Sequence, residues 1–164
     1  MNTKEVGPVL ARLFGELVDG ASSPKGAVIL NTGDVGLLRS IEALDAFQAS
    51  QAVNGGATIA AHAQHLRYGL SLMNRWATEG GDPFSDATWD AAWKITTVDD
   101  GAWAEIRAGL RDEAHRFHLA LVTPREATAV ELAGLAGTVA HVAYHLGAIR
   151  QIDKHTRGPR EGTF

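Results

Sequence analysis

His141 and His145 stand four residues apart in LAGTVAHVAYHLGAIRQI, residues 135–152, a stretch with almost no charge. At 3.6 residues per turn, positions i and i+4 lie about 40° apart on a helix, one turn above each other. Both imidazoles therefore leave one face and can reach a single ion. The same face collects Gly134, Gly137, Thr138, Ala148 and Ile152. Gly134, Gly137 and Gly147 each cost a helix about 1 kcal/mol relative to Ala, so close helix approach or a cavity must favour them. A tetrahedral or octahedral site needs at least a third protein ligand beyond an HxxxH pair.

TIAAHAQHLRYGLSLMNRWA, opening at Thr58, supplies two candidates. Its apolar stripe runs Ile59, Ala63, Leu66, Leu70 and Met73, widened by Leu72 and Trp76, which predicts an amphipathic helix. Gln64, Arg67, Ser71, Asn74 and Arg75 fall opposite, as an expected solvated face. His62 and His65 both lie in the apolar arc, about 60° apart by helical geometry. Three neutral imidazoles from two helices suit zinc, nickel, iron(II) or manganese, and they leave a position open to water or substrate. An ion there brings the pKa of bound water down to roughly 7 and ionises a bound thiol. A di-iron carboxylate centre needs inward Glu residues and two ExxH motifs. The chain has no ExxH, and the nearest approach is Asp112-xx-His115 on a polar flank. There is no GxSxG, P-loop or strand-borne GxGxxG either.

The elements that must position these residues follow from the rest of the chain. With 164 residues, 45% hydrophobic and 21% charged, it reads as one domain able to bury a core. A net charge of −4 offers no basic surface for nucleic acid. The absence of cysteine removes disulfides, thiolate ligands and a cysteine nucleophile together. The charged N-terminus is neither a signal peptide nor a membrane span, and the apolar last helix carries two histidines and Arg150, which suits a protein core. A cytoplasmic protein, with no membrane partner, is expected.

Residues 6–18 predict a first helix through Val9, Leu10, Leu13 and Leu17, with Pro8 tolerable in its first turn. Residues 20–33 predict a loop with a brief extended piece in its β-branched run. Asp34 is the expected N-cap of a helix bearing Leu37, Leu38, Ile41 and Leu44, and Asp45 starts another turn before Asn54-Gly55-Gly56 breaks the chain. Residues 84–93 predict a short helix capped by Ser85 or Asp86, with Trp89 and Trp93 on one side. Asp99 or Asp100 caps a helix with the stripe Trp103, Ile106, Leu110, Ala114, Phe117 and Leu121. His115 and His118 lie off that stripe and read as surface residues. The last helix is expected over about residues 127–154. Together these predict an all-α fold, a four-helix bundle with short extra helices in its connections. The domain spans residues 1–156 and a polar, frayed tail 157–164.

TIAAHAQHLRYGLSLMNRW followed later by HVAYHLGAIRQ resembles the DinB-like (YfiT-like) metal-binding four-helix-bundle superfamily, and the resemblance covers nearly the whole chain. The family's HxxxH matches His141 and His145. Its third histidine precedes an aliphatic residue, which matches His65 before Leu66, whereas His62 precedes Ala63. Periodicity alone slightly favours His62, the nearer to the stripe centre. With the resemblance, His65, His141 and His145 are the expected metal ligands; His62 is expected either behind them or facing the substrate, and Thr138, on the histidine face, is the other candidate substrate contact. The resemblance also implies a divalent-metal site, frequent homodimers and, in its characterised members, metal-dependent transfer of low-molecular-weight thiols.

No Glu, Asp or Lys lies on the histidine face to serve as a base, and Tyr68 and Arg150 are expected to point away from it. That favours a thiol over water, since a thiol near pKa 8.5 needs only a small shift to ionise. The expected function is thus a metal-dependent transferase activating a low-molecular-weight thiol against a small-molecule electrophile. A metal-dependent hydrolase or a non-catalytic metal-binding dimeric module are the alternatives. A last helix apolar on all sides over residues 132–149 calls for cover on every side, which predicts a homodimer.

Overall fold

The computed structural model describes residues 2–21, 23 and 27–159. Among them the chain is all-helical and forms no strand, only an isolated bridge between Asn2 and Glu126. Four helices are long: α1 (Val6–Asp19), α4 (Ile59–Glu79), α5 (Asp100–Val122) and α6 (Ala129–Ile152). Two short ones, α2 (Gly36–Glu42) and α3 (Ala46–Ala49), lie in the connection between α1 and α4, and 3-10 turns form at Ala92–Lys94 and Lys154–Thr156. Helices α1 and α4 each pack against both α5 and α6.

Local chemistry accounts for the helix starts. Thr58 accepts from the Ala61 N–H at 3.1 Å and Asp99 from the Ala102 N–H at 2.8 Å, each filling a donor that the first turn leaves unpaired. Asp45 with Gln48, and Thr128 with Glu131, form reciprocal capping boxes that open α3 and α6. The Thr128 N–H, with the Thr128 hydroxyl and Arg125, holds the Glu131 carboxyl down to about 2.

Every residue of the expected α5 stripe is buried, from Trp103 to Leu121. Phe14 meets Phe117 edge to face at 5.0 Å, joining α1 to α5, and the Trp103 indole donates to the Leu44 carbonyl at 2.8 Å. By length and composition α6 would also suit a membrane span, as a helix of a folded core commonly does. His115 is exposed and His118 half-buried, both away from the central histidines.

Several local expectations are corrected. The β-branched run after the first loop makes no strand: the backbone N–H groups of Val28, Ile29 and Leu30 donate instead to the carboxylate of Glu16, which is 5% exposed in α1. Val35, not Asp34, immediately precedes α2. Asp34 accepts from the Gly36 N–H at 2.8 Å and from the Arg150 guanidinium at 2.7 Å, a buried pair tying α2 to α6. Asn74, assigned to the solvated face of α4, is 7% exposed, because α5 packs there and its Glu113 accepts the Asn74 amide.

The expected helix over residues 84–93 does not form: residues 84–91 are turns and irregular backbone, and only the 3-10 turn Ala92–Lys94 ends the segment. The segment after α6 is bonded as far as the structure describes it. Thr156 is buried, its carbonyl accepts from Arg150 at 3.1 Å, and Arg157 donates back to the Arg150 carbonyl at 3.0 Å. Of the polar tail, residues 160–164 lie outside the described residues.

Candidate metal centre

The contact of α4 with α6 brings four histidines together. Within α4, Ala60, Ala61 and Ala63 are fully buried, and their small volume lets the helix seat closely. Within α6, His145 stands among Val142, Leu146 and Ile149, all buried, so core packing presses its ring inward.

Three of the rings converge through one nitrogen each. His65 Nε2 lies 3.2 Å from His141 Nε2, and His145 Nε2 lies 2.9 Å from the same atom. A ligand atom from each of the three falls within 4.8 Å of the others. Tetrahedral coordination at metal–nitrogen bonds of about 2.0–2.1 Å sets nitrogens about 3.3 Å apart, so this spacing is that of a ligand set. His65 is 7% exposed, His145 2%, and His141 half-buried.

The electrostatics suit a cation. Burial, reinforced by the neighbouring rings, pushes His65 down to about 4 and His145 down to about 3; burial also lowers His62 and His141. All four rings are therefore neutral at physiological pH, the form in which imidazole coordinates a metal. Three convergent nitrogens cannot satisfy one another, since each N–H needs one lone pair opposite it. A central cation accepts all three lone pairs at once. The ligand tautomer then carries its proton on Nδ1. For His145 that atom has a partner, His62 Nδ1 at 2.8 Å; for His65 it is buried without a protein hydrogen-bond partner.

His62 thus sits on the far nitrogen of His145, behind the convergent group rather than in it. Thr138 lies one turn before His141, half-buried, its hydroxyl donating to the Gly134 carbonyl at 2.9 Å. Tyr68 accepts from the Thr88 N–H at 3.0 Å, and Arg150 is held by Asp34; neither joins the histidines.

Two residues of the site were not assigned to it from the sequence. Trp93 stacks on His65 with ring centroids 4.4 Å apart and reaches His62 edge to face at 5.4 Å, while Trp89 lies 5.7 Å from His65. Their spacing of four was a legible signal, yet nothing local says which surface the loop crosses. The indoles form an aromatic roof that thins the water over the histidines. Beside His141 opens a cavity of about 190 Å³ between α4 and α6.

The fold and site together define an all-helical protein with a buried three-histidine group able to hold a metal ion. Comparisons with protein-family models, with curated proteins and with solved structures gave no match.

Proposed function

We propose that the protein is a metal-dependent transferase of the DinB-like (YfiT-like) kind, its four long helices forming a four-helix bundle, that activates a low-molecular-weight thiol for attack on a small electrophile. The observation that supports this is a three-nitrogen group which, among the described residues, no carboxylate joins. A divalent ion held by His65, His141 and His145 would lower the pKa of a neutral donor in its remaining position. A thiol ionises after a small shift, whereas water needs several units and is helped by an acceptor nearby. In the transfer the sulfur forms a bond to the electrophilic carbon, the leaving group departs with the bonding pair, and the thiol proton passes to bulk water. His62 holds His145 in its coordinating tautomer, Trp89 and Trp93 limit water, and Thr138 and His141 face the substrate.

The exposed side of α6 carries Val130, Ala133, Ala136, Ala140, Tyr144 and Gly147, without a charge. Close approach of two such helices needs small residues, so this face pairs with a second copy in a two-fold dimer.

Emission spectrometry on purified protein and on His65→Ala, His141→Ala and His145→Ala tests the ligands. One ion per chain, lost in each variant, is expected, and stoichiometric metal in all three overturns the site. Conjugation of common bacterial thiols to a chromogenic electrophile, with zinc, nickel or manganese, tests the reaction. Ester or amide hydrolysis without conjugation moves the assignment to a hydrolase. Silence in both assays from metallated protein moves it to a binding module.

A further inference from the structure

We propose that the cavity between α4 and α6 is a binding site for a small uncharged carbon group of about one six-membered ring. Taken with the transferase reading above, on which this part rests, that group is the skeleton of the electrophile rather than of the thiol.

The walls argue for it. One is a pair of aromatic rings, Phe84 lying nearly parallel to Trp89 at 6.3 Å, and Trp76 backs Phe84 edge to face at 5.5 Å. Leu66, Leu70 and Met73 of α4 form the floor, and among the described residues no Asp, Glu, Lys or Arg lines the cavity. The polar groups are His141 and Thr138. Since the Thr138 hydroxyl already donates to Gly134, it has a lone pair to offer and no free proton.

Two glycines of α6 shape this space in different ways. At Gly134, which lines the cavity, a Cβ would collide with the Trp76 ring, so glycine there lets the indole pack against α6 behind Phe84. At Gly137, an exposed residue one turn before His141 at the solvent-facing edge of the cavity, a Cβ would meet nothing within 4 Å. The helix accepts the roughly 1 kcal/mol cost of glycine there without a packing partner to explain it. What the missing side chain leaves is room.

Size sets the class. An apolar cavity of about 150 Å³ accommodates benzene, so about 190 Å³ takes one ring with a carbon or two attached. In this half-open cavity a charged group would give up part of its hydration with no charged side chain to replace it. The polar body of a small thiol is disfavoured on the same ground and approaches from the solvent side.

The test is titration of metal-loaded protein with toluene, benzyl alcohol and benzoate, followed by the fluorescence of the wall tryptophans, with metal content read on the same samples. Saturable binding of toluene and benzyl alcohol is expected, with benzoate at least about tenfold weaker. Gly137→Leu, which fills the space and favours the helix, should weaken the uncharged probes by about tenfold or more at unchanged metal content and helicity. Ala108→Leu, on the exposed side of α5 away from both the cavity and the α6 face, should bind as wild type. Wild-type affinity in Gly137→Leu, or no saturable binding to metal-loaded wild type, overturns the proposal. Saturable, Gly137-dependent binding in protein that fails to conjugate any thiol would uphold the cavity and remove only the transferase reading.

Discussion

His62 and His145 face each other through their Nδ1 atoms at 2.8 Å, so in the neutral pair one of these atoms carries a proton and the other a lone pair. If His145 gives its Nε2 lone pair to an ion, its proton sits on Nδ1 and His62 must be the acceptor. The hydrogen bond therefore selects the coordinating tautomer of His145 and fixes its ring plane. Loss of such a partner typically lowers metal affinity about 10–100-fold. His62→Leu is expected to weaken binding by that factor, and His62→Asn, whose Oδ1 can accept in place of Nδ1, to retain most of it. Competition with a chromophoric chelator measures both, and equal affinity in His62→Leu and wild type would reduce His62 to packing.

The sign of the pH dependence follows from the lowered histidines. The unfolded chain takes up protons near 6.5, while folded His65 and His145 resist protonation down to about 4 and about 3. Between those limits the unfolded state binds more protons, so the metal-free fold loses stability as pH falls. Urea midpoints of chelator-treated protein at pH 7.5, 6.0 and 5.0 should decline in that order. The decline should be shallower in His145→Leu, and a midpoint independent of pH over this range would contradict the burial of neutral rings.

Glu16 organises the loop after α1 by accepting the N–H groups of Ile29 at 2.7 Å and Leu30 at 2.6 Å, with Val28 beside them. A hydrogen bond to a charged acceptor contributes about 1.5–3 kcal/mol, and less where the donors are half-buried, as these are. Glu16→Ala is expected to destabilise by about 2–4 kcal/mol, and Glu16→Gln, which keeps one acceptor oxygen, by less. Chemical denaturation reads the difference, while metal affinity should stay at the wild-type value because Glu16 is not among the convergent residues.

For the α6 face, light scattering at micromolar concentration should show a dimer. Ala140→Glu places a charge at the centre of the exposed apolar stripe and should give a monomer with wild-type helicity. A monomeric wild type, or a dimer indifferent to Ala140→Glu, would place the contact elsewhere or remove it.

Helical periodicity is a property of one segment, and what depended on it alone was legible. The i, i+4 spacing placed His141 and His145 on one face, the α5 stripe from Trp103 to Leu121 was identified residue by residue, and Thr58 and the pair Asp99-Asp100 marked helix starts, with Asp99 the cap in the structure. Tertiary packing decided the rest. Which of His62 and His65 meets the pair depends on the rotation and offset of α4 against α6, set by the side chains between them. The burial of Asn74, the capture of the first loop by Glu16 and the path of Trp89 and Trp93 over the histidines have the same origin. Each joins residues far apart in the chain, and an angle on a single helix carries no information about what packs against it.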